Sequence, residues 1–155
     1  MTFLLSARSE RALQGVHPDL VRVVRRAIQL TAVDFGVVEG LRTQARQAEL
    51  VKSGASQTMA SRHLTGHAVD LMAYIGDRAS WELPLYDDIA DAMRAAAKEL
   101  QVPVRWGAAW SVNDIRGWYG TMESALHSYV DACRKAGGRP FLDGPHFELP
   151  AAQYA

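Results

Sequence analysis

The chain reads as an α+β protein: a single domain, residues 1–155, with a small, mainly antiparallel sheet flanked by helices. Two observations predict this. Helix-period apolar stretches precede and flank a few short strand-like runs. A length of 155 residues with 48% hydrophobic content supplies one real core, and no repeat, linker or low-complexity tract divides it.

The elements follow in order. Pro18-Asp19 marks a helix start, and Leu20, Val23, Val24, Ala27, Ile28 and Ala32 continue it as an apolar stripe. Phe35 to Leu41 is a short, β-branched run with glycines near its ends and reads as a strand. Thr43 caps a helix carrying Arg46, Ala48, Leu50 and Val51. Residues 53–58 are rich in Ser, Gly and Gln and form a loop. Ala68 to Tyr74 is a strand, Pro84 opens a helix through Leu100, and Val102 to Trp106 is a short strand. Glu123 to Ala136 is a helix stopped by Gly137-Gly138. Pro145 to Leu149 is a last strand with His146 and Glu148 on one face and Phe147 on the other.

Seventeen basic residues balance seventeen acidic ones, which argues against a dedicated nucleic-acid binder. The apolar stretch at Phe3-Leu4-Leu5 is too short for a signal-peptide core or a membrane span. The expectation is a product made in the cytoplasm without stable membrane insertion. Cys133 is the only cysteine, and it reads as a small apolar residue on a helix.

Chemistry concentrates in two blocks, Ser61-Arg62-His63-Leu64-Thr65-Gly66-His67-Ala68-Val69-Asp70 and Asp143-Gly144-Pro145-His146-Phe147-Glu148. A lone His or Asp is usually a surface or capping group, so the weight lies in the combined spacing. Two imidazoles and one carboxylate, His63, His146 and Asp70, suit a three-ligand zinc site with an open fourth position. Asp143 remains as a base for water at that position. The donor set also accepts other divalent ions. Gly66 permits a tight turn between His63 and Asp70. His67 stands four residues after His63, as in the helical H-E-x-x-H motif, but Leu64 replaces the glutamate and Gly66 opposes a helix. It reads as a pocket-edge or structural residue, and His17 and His127 as ordinary histidines.

Ser61-x-His63-x-x-Gly66-x-Ala68-x-Asp70 together with Asp143-x-x-His146 resembles the VanY/VanX-like zinc peptidase family. That family includes D-alanyl-D-alanine carboxypeptidases and dipeptidases and the L-alanyl-D-glutamate endopeptidases used as bacteriophage endolysins. Glu39-Gly40-Leu41-Arg42-Thr43 and the segment 53–58 extend the similarity. The resemblance implies that His63, Asp70 and His146 hold Zn2+, that Asp143 is the catalytic base, that Arg42 stabilises the oxyanion and that Ser61 helps hold substrate. It implies an endolysin-like monomer cutting the peptidoglycan stem peptide between L-alanine and D-glutamate, released to the wall by another factor and of phage or prophage origin. Carboxypeptidase or dipeptidase activity on D-alanyl-D-alanine is the alternative, and a wall-peptide binding module without turnover is the alternative of another class. Trp106-Gly107-Ala108-Ala109-Trp110 departs from the Trp-Gly-Gly-Asp-Trp-like segment of many relatives. Residues 111–140 form a longer connection, read either as a substrate wall or as an extra packed helix.

Overall fold

A computed structural model describes residues 2–155. Among these residues five strands form one sheet: β1 (Asp34–Glu39), β2 (Ala68–Ile75), β3 (Arg78–Ser80), β4 (Arg105–Trp106) and β5 (His146–Glu148). Its order is β1-β2-β5-β4, every pairing is antiparallel, and β3 pairs with the C-terminal end of β2. The α+β class and antiparallel sheet expected from the sequence are therefore present.

Among the described residues five α-helices surround the sheet: α1 (Ala7–Ala12), α2 (Pro18–Leu30), α3 (Gln44–Lys52), α4 (Leu83–Leu100) and α5 (Met122–Lys135). Pro18 occupies the first turn of α2, and the ring of His17 accepts a hydrogen bond from the Asp19 amide (3.0 Å). Of the predicted stripe, Leu20, Val23, Val24, Ala27 and Ile28 are buried, whereas Ala32 lies beyond the end of α2 at Leu30 and is exposed. The buried stripe packs on α4, which buries Tyr86, Ile89, Ala90, Met93, Ala96 and Ala97 at the same period. Burying a Leu, Val or Ile contributes about 1.5–3 kcal/mol, whereas an exposed ion pair such as Arg25–Glu10 gives about 0–1. The helix pair, not the surface charge, therefore holds the fold.

Strand β2 splits its two faces cleanly. Val69, Leu71 and Ala73 are buried in the core with Phe35 and Val37, while Asp70 points to the opposite side. On β5, Phe147 enters the core and stacks on Trp106 (centroids 6.2 Å apart), leaving His146 and Glu148 on the face of Asp70.

Several short elements differ from the sequence reading. β1 ends at Glu39, two residues before Leu41, and only Arg105 and Trp106 of the expected 102–106 strand pair with a neighbour. α1 and β3 were not expected. Both are too short to show a period, and they form because tertiary partners supply what local propensity does not. The 111–140 segment resolves as packing: α5 buries Met122, Ala125, Leu126 and Val130 against the core.

Candidate metal centre and active-site cleft

Ser61 caps a 3-10 turn, Arg62–Thr65, its hydroxyl accepting from the His63 amide (3.2 Å). Gly66 ends the turn at φ 74°, and a Cβ there would lie 2.4 Å from the carbonyl oxygen of Gly15. Only glycine meets both demands. The turn delivers His63, 1% exposed, against β2, where Asp70 stands directly opposite His146 of β5.

These three side chains converge. His63 Nε2 lies 3.2 Å and His146 Nδ1 3.4 Å from the same Asp70 oxygen, Oδ1. One donor atom from each of the three falls within 4.8 Å of the others. The remaining ring nitrogens are fixed from behind: His63 Nδ1 lies 2.8 Å from the Gly40 carbonyl, and His146 Nε2 2.8 Å from Glu148. In the neutral tautomers that donate N–H to these acceptors, His63 Nε2 and His146 Nδ1 carry lone pairs aimed at one point. That is the donor set and the outer support of a divalent metal site, so the residues fit the ion.

Burial opposes charge on Asp70, but hydrogen bonds from His146 and His63 outweigh it and hold its carboxyl well below the usual range. Burial likewise opposes charge on His146. Hydrogen bonds to Asp70 and Glu148 win there and push its pKa up to about 10 in the metal-free protein. A metal must displace that proton to bind.

Asp143 is placed by backbone contacts. Its amide donates to the Gly107 carbonyl (2.9 Å), Gly107 N–H donates to the His146 carbonyl (2.8 Å), and Trp106 Nε1 donates to the Gly144 carbonyl (2.7 Å). A Cβ on Gly107 would lie 2.4 Å from the Asp143 carbonyl oxygen. Burial, then the charge of Asp70, raises the Asp143 pKa against the opposing pull of His146, His63 and Arg42. Ala108 and Ala109 are fully buried, so that stretch of the Trp106–Trp110 segment presents methyl groups to the core.

Arg42 is 8% exposed and densely bonded. Its Nε and Nη2 each donate to Glu39 at 2.8 Å, Nη2 also faces Asp70 Oδ2 at 3.4 Å, and Nη1 reaches Gln47 (2.6 Å) and Ser61 (3.5 Å). A register shift between Val37 and Glu39 makes this possible, because it sets Glu39 rather than Val38 opposite Asp70. The supporting roles of Glu39, Gln47 and Gly107 and the ring contact of Glu148 escaped the sequence reading. Glu148 had a signal, its alternation with His146. A one-residue bulge and a buried glutamine leave none.

The cleft over these groups measures about 740 Å3. Arg42, Ser61, His63, Asp70, Asp143 and His146 all line it, so every site residue expected from the sequence reaches one cavity. The loop 55–58 forms one wall; Trp81, Trp110 and Phe141 form another. His67 does not line it and packs instead near His17 and Tyr154. His127 is exposed on α5. Helix α5 supports the cleft from outside: Tyr129 Oη both donates to the Phe141 carbonyl (3.1 Å) and accepts from its amide (3.2 Å).

Three donors that could hold a metal, set on an antiparallel sheet and sharing one cleft with the Asp143 carboxylate, form a candidate hydrolase site. Residues 1–150 match the model of the phage L-alanyl-D-glutamate peptidase family, and the chain belongs to that family. It is 36% identical over 117 residues to the L-alanyl-D-glutamate peptidase of Escherichia phage T5, covering 73% of this chain and 85% of that protein. A Listeria phage A118 L-alanyl-D-glutamate peptidase is 37% identical over 79 residues, which span 51% of this chain but 27% of that longer protein. The crystal structure of the Serratia marcescens L-Ala D-Glu endopeptidase ChiX superposes with a TM-score of 0.73 at 43% identity, covering 97% of this chain and 93% of that one.

Proposed function

We propose that the protein is a zinc-dependent peptidoglycan peptidase that hydrolyses the L-alanyl-D-glutamate bond of the stem peptide. The observation that carries this reading is the convergence of His63, Asp70 and His146 within 4.8 Å, in a cleft that Asp143 also lines. Family membership and the names of the relatives support the bond assignment. The same reading makes residues 1–155 one catalytic unit acting as a monomer on the cell wall. Among the described residues no helix is long and apolar enough to cross a membrane.

His63, Asp70 and His146 would hold the ion. When bound, it supplies Lewis acidity, which makes water nucleophilic at neutral pH and polarises a carbonyl. Asp143 takes the proton from the attacking water as oxygen adds to the alanyl carbonyl carbon. It returns that proton to the glutamyl nitrogen as the C–N bond breaks. Its raised pKa suits both halves of the transfer. Arg42 contributes a buried, fixed positive charge toward the developing oxyanion and holds Asp70 in place. The hydroxyl of Ser61, already turned into the cleft beside Arg42, bonds the substrate backbone.

The test is digestion of purified peptidoglycan by the zinc-loaded protein, with assignment of newly released amino termini and elemental analysis of the bound metal. New D-glutamyl amino groups are expected. Released D-alanine would replace the bond assignment with carboxypeptidase activity, and wall binding without release would reduce the protein to a binding module.

A further inference from the structure

Three arginines line the cleft, and they differ in what neutralises them. Arg42 is paired with Glu39 and Asp70. Arg62 donates to the backbone carbonyls of Leu149 and Tyr154, tying down the C-terminal segment. Arg105 has no carboxylate within 4.0 Å among the described residues, although Glu148 is its cross-strand partner, because Glu148 is turned to His146. Its guanidinium lies over the Trp110 ring, 5.1 Å from the centroid, and donates to the Trp110 carbonyl. Its Nε is buried with no acceptor. Trp110 in turn sits 5.4 Å from the His146 ring, so the uncompensated cation is held beside the metal ligands on the β4 side of the sheet. Arg42 stands on the opposite side, beyond β1.

A partly buried cation in a cleft wall with no carboxylate partner calls for an anion. The substrate proposed above carries one. A glutamyl residue has two carboxyl groups; the peptide continues through one, and the other stays ionised next to the nitrogen that departs. We infer that Arg105 is a specificity-determining residue that receives the free carboxylate of the glutamyl residue on the leaving-group side of the scissile bond. The Trp110 ring beneath the guanidinium and the Trp110 carbonyl that accepts from it fix the group in the cleft wall, where its planar donors can meet a carboxylate. This inference rests on the L-alanyl-D-glutamate reading.

The experiment compares two soluble stem peptides, one with that carboxylate free and one with it converted to a carboxamide, in wild type and in Arg105→Gln and Arg105→Lys. Wild type is expected to favour the acid in kcat/KM by about tenfold to a hundredfold, the range of a hydrogen bond to a charged group. Arg105→Gln should lose that preference, and Arg105→Lys should restore part of it. Metal content and circular dichroism show that each variant is folded, and the acid-to-amide ratio within each variant is insensitive to the amount of active protein. An Arg105→Gln protein that keeps the preference, or a wild type with none, overturns the assignment of Arg105. Failure of wild type to cut either peptide at the alanyl–glutamyl bond would instead overturn the substrate reading itself.

Discussion

His146 Nε2 lies 2.8 Å from Glu148 Oε1, and both side chains are buried on the same face of β5. This contact leaves the other ring nitrogen, Nδ1, facing Asp70. Glu148→Ala frees the ring and removes the acceptor that favours the metal-binding tautomer. Zinc affinity is expected to fall about tenfold to a hundredfold, with a smaller loss for Glu148→Gln, which keeps an acceptor. Competition with a chromogenic chelator measures both, and unchanged affinity in Glu148→Ala would remove Glu148 from the support of the site.

Asp143 is the proton carrier in the proposed reaction but lies outside the three-donor set. Asp143→Asn should therefore bind zinc with the stoichiometry of wild type while turnover drops by about a hundredfold to ten-thousandfold. Rate and metal content measured on one preparation separate the two roles. An active Asp143→Asn protein would assign the proton transfer elsewhere.

Gly107 is the point where β4 passes the Asp143–His146 segment. The missing Cβ would meet backbone, not a flexible side chain, at 2.4 Å. Gly107→Ala is expected to cost about 1–3 kcal/mol through forced backbone shifts. It should also slow turnover, because the shift falls on Asp143. Urea unfolding at constant zinc, read beside the rate, tests both.

Asp87 on α4 has a pKa pushed up to about 6, first by burial and then by the charges of Glu123, Asp88 and Asp91. One of its oxygens is buried without a partner. A carboxyl whose folded pKa is raised penalises the folded state where it is ionised. The penalty is therefore present above about pH 6 and fades as pH falls below it, toward the unfolded value near 4. Asp87→Asn should raise Tm at pH 7.5 and have little effect at pH 4.5. Equal effects at both pH values would show that ionisation is not the cause.

Much of the fold was legible because its signals are local. The stripe on α2, the Thr43 cap, the Gly66 turn and the alternation around Phe147 depend on residues a few positions apart, where helix and strand periods act. α1, β3 and the exact limits of β1 were not legible. Those elements are too short to carry a period and take their stability from distant neighbours.

The order of residues by itself singled out the groups that meet in the cleft: two imidazoles, a carboxylate between them and an acid three positions before the second histidine, with glycine where the backbone turns left-handed. Tertiary structure alone decided how they are held. Glu39 reaches Arg42 because a bulge shifts the register of β1 against β2, and Gly107 grips Asp143 because β4 lies beside β5. Hydrogen bonding between strands far apart in the chain sets both relationships. No local pattern encodes a register that is fixed only when the two strands meet.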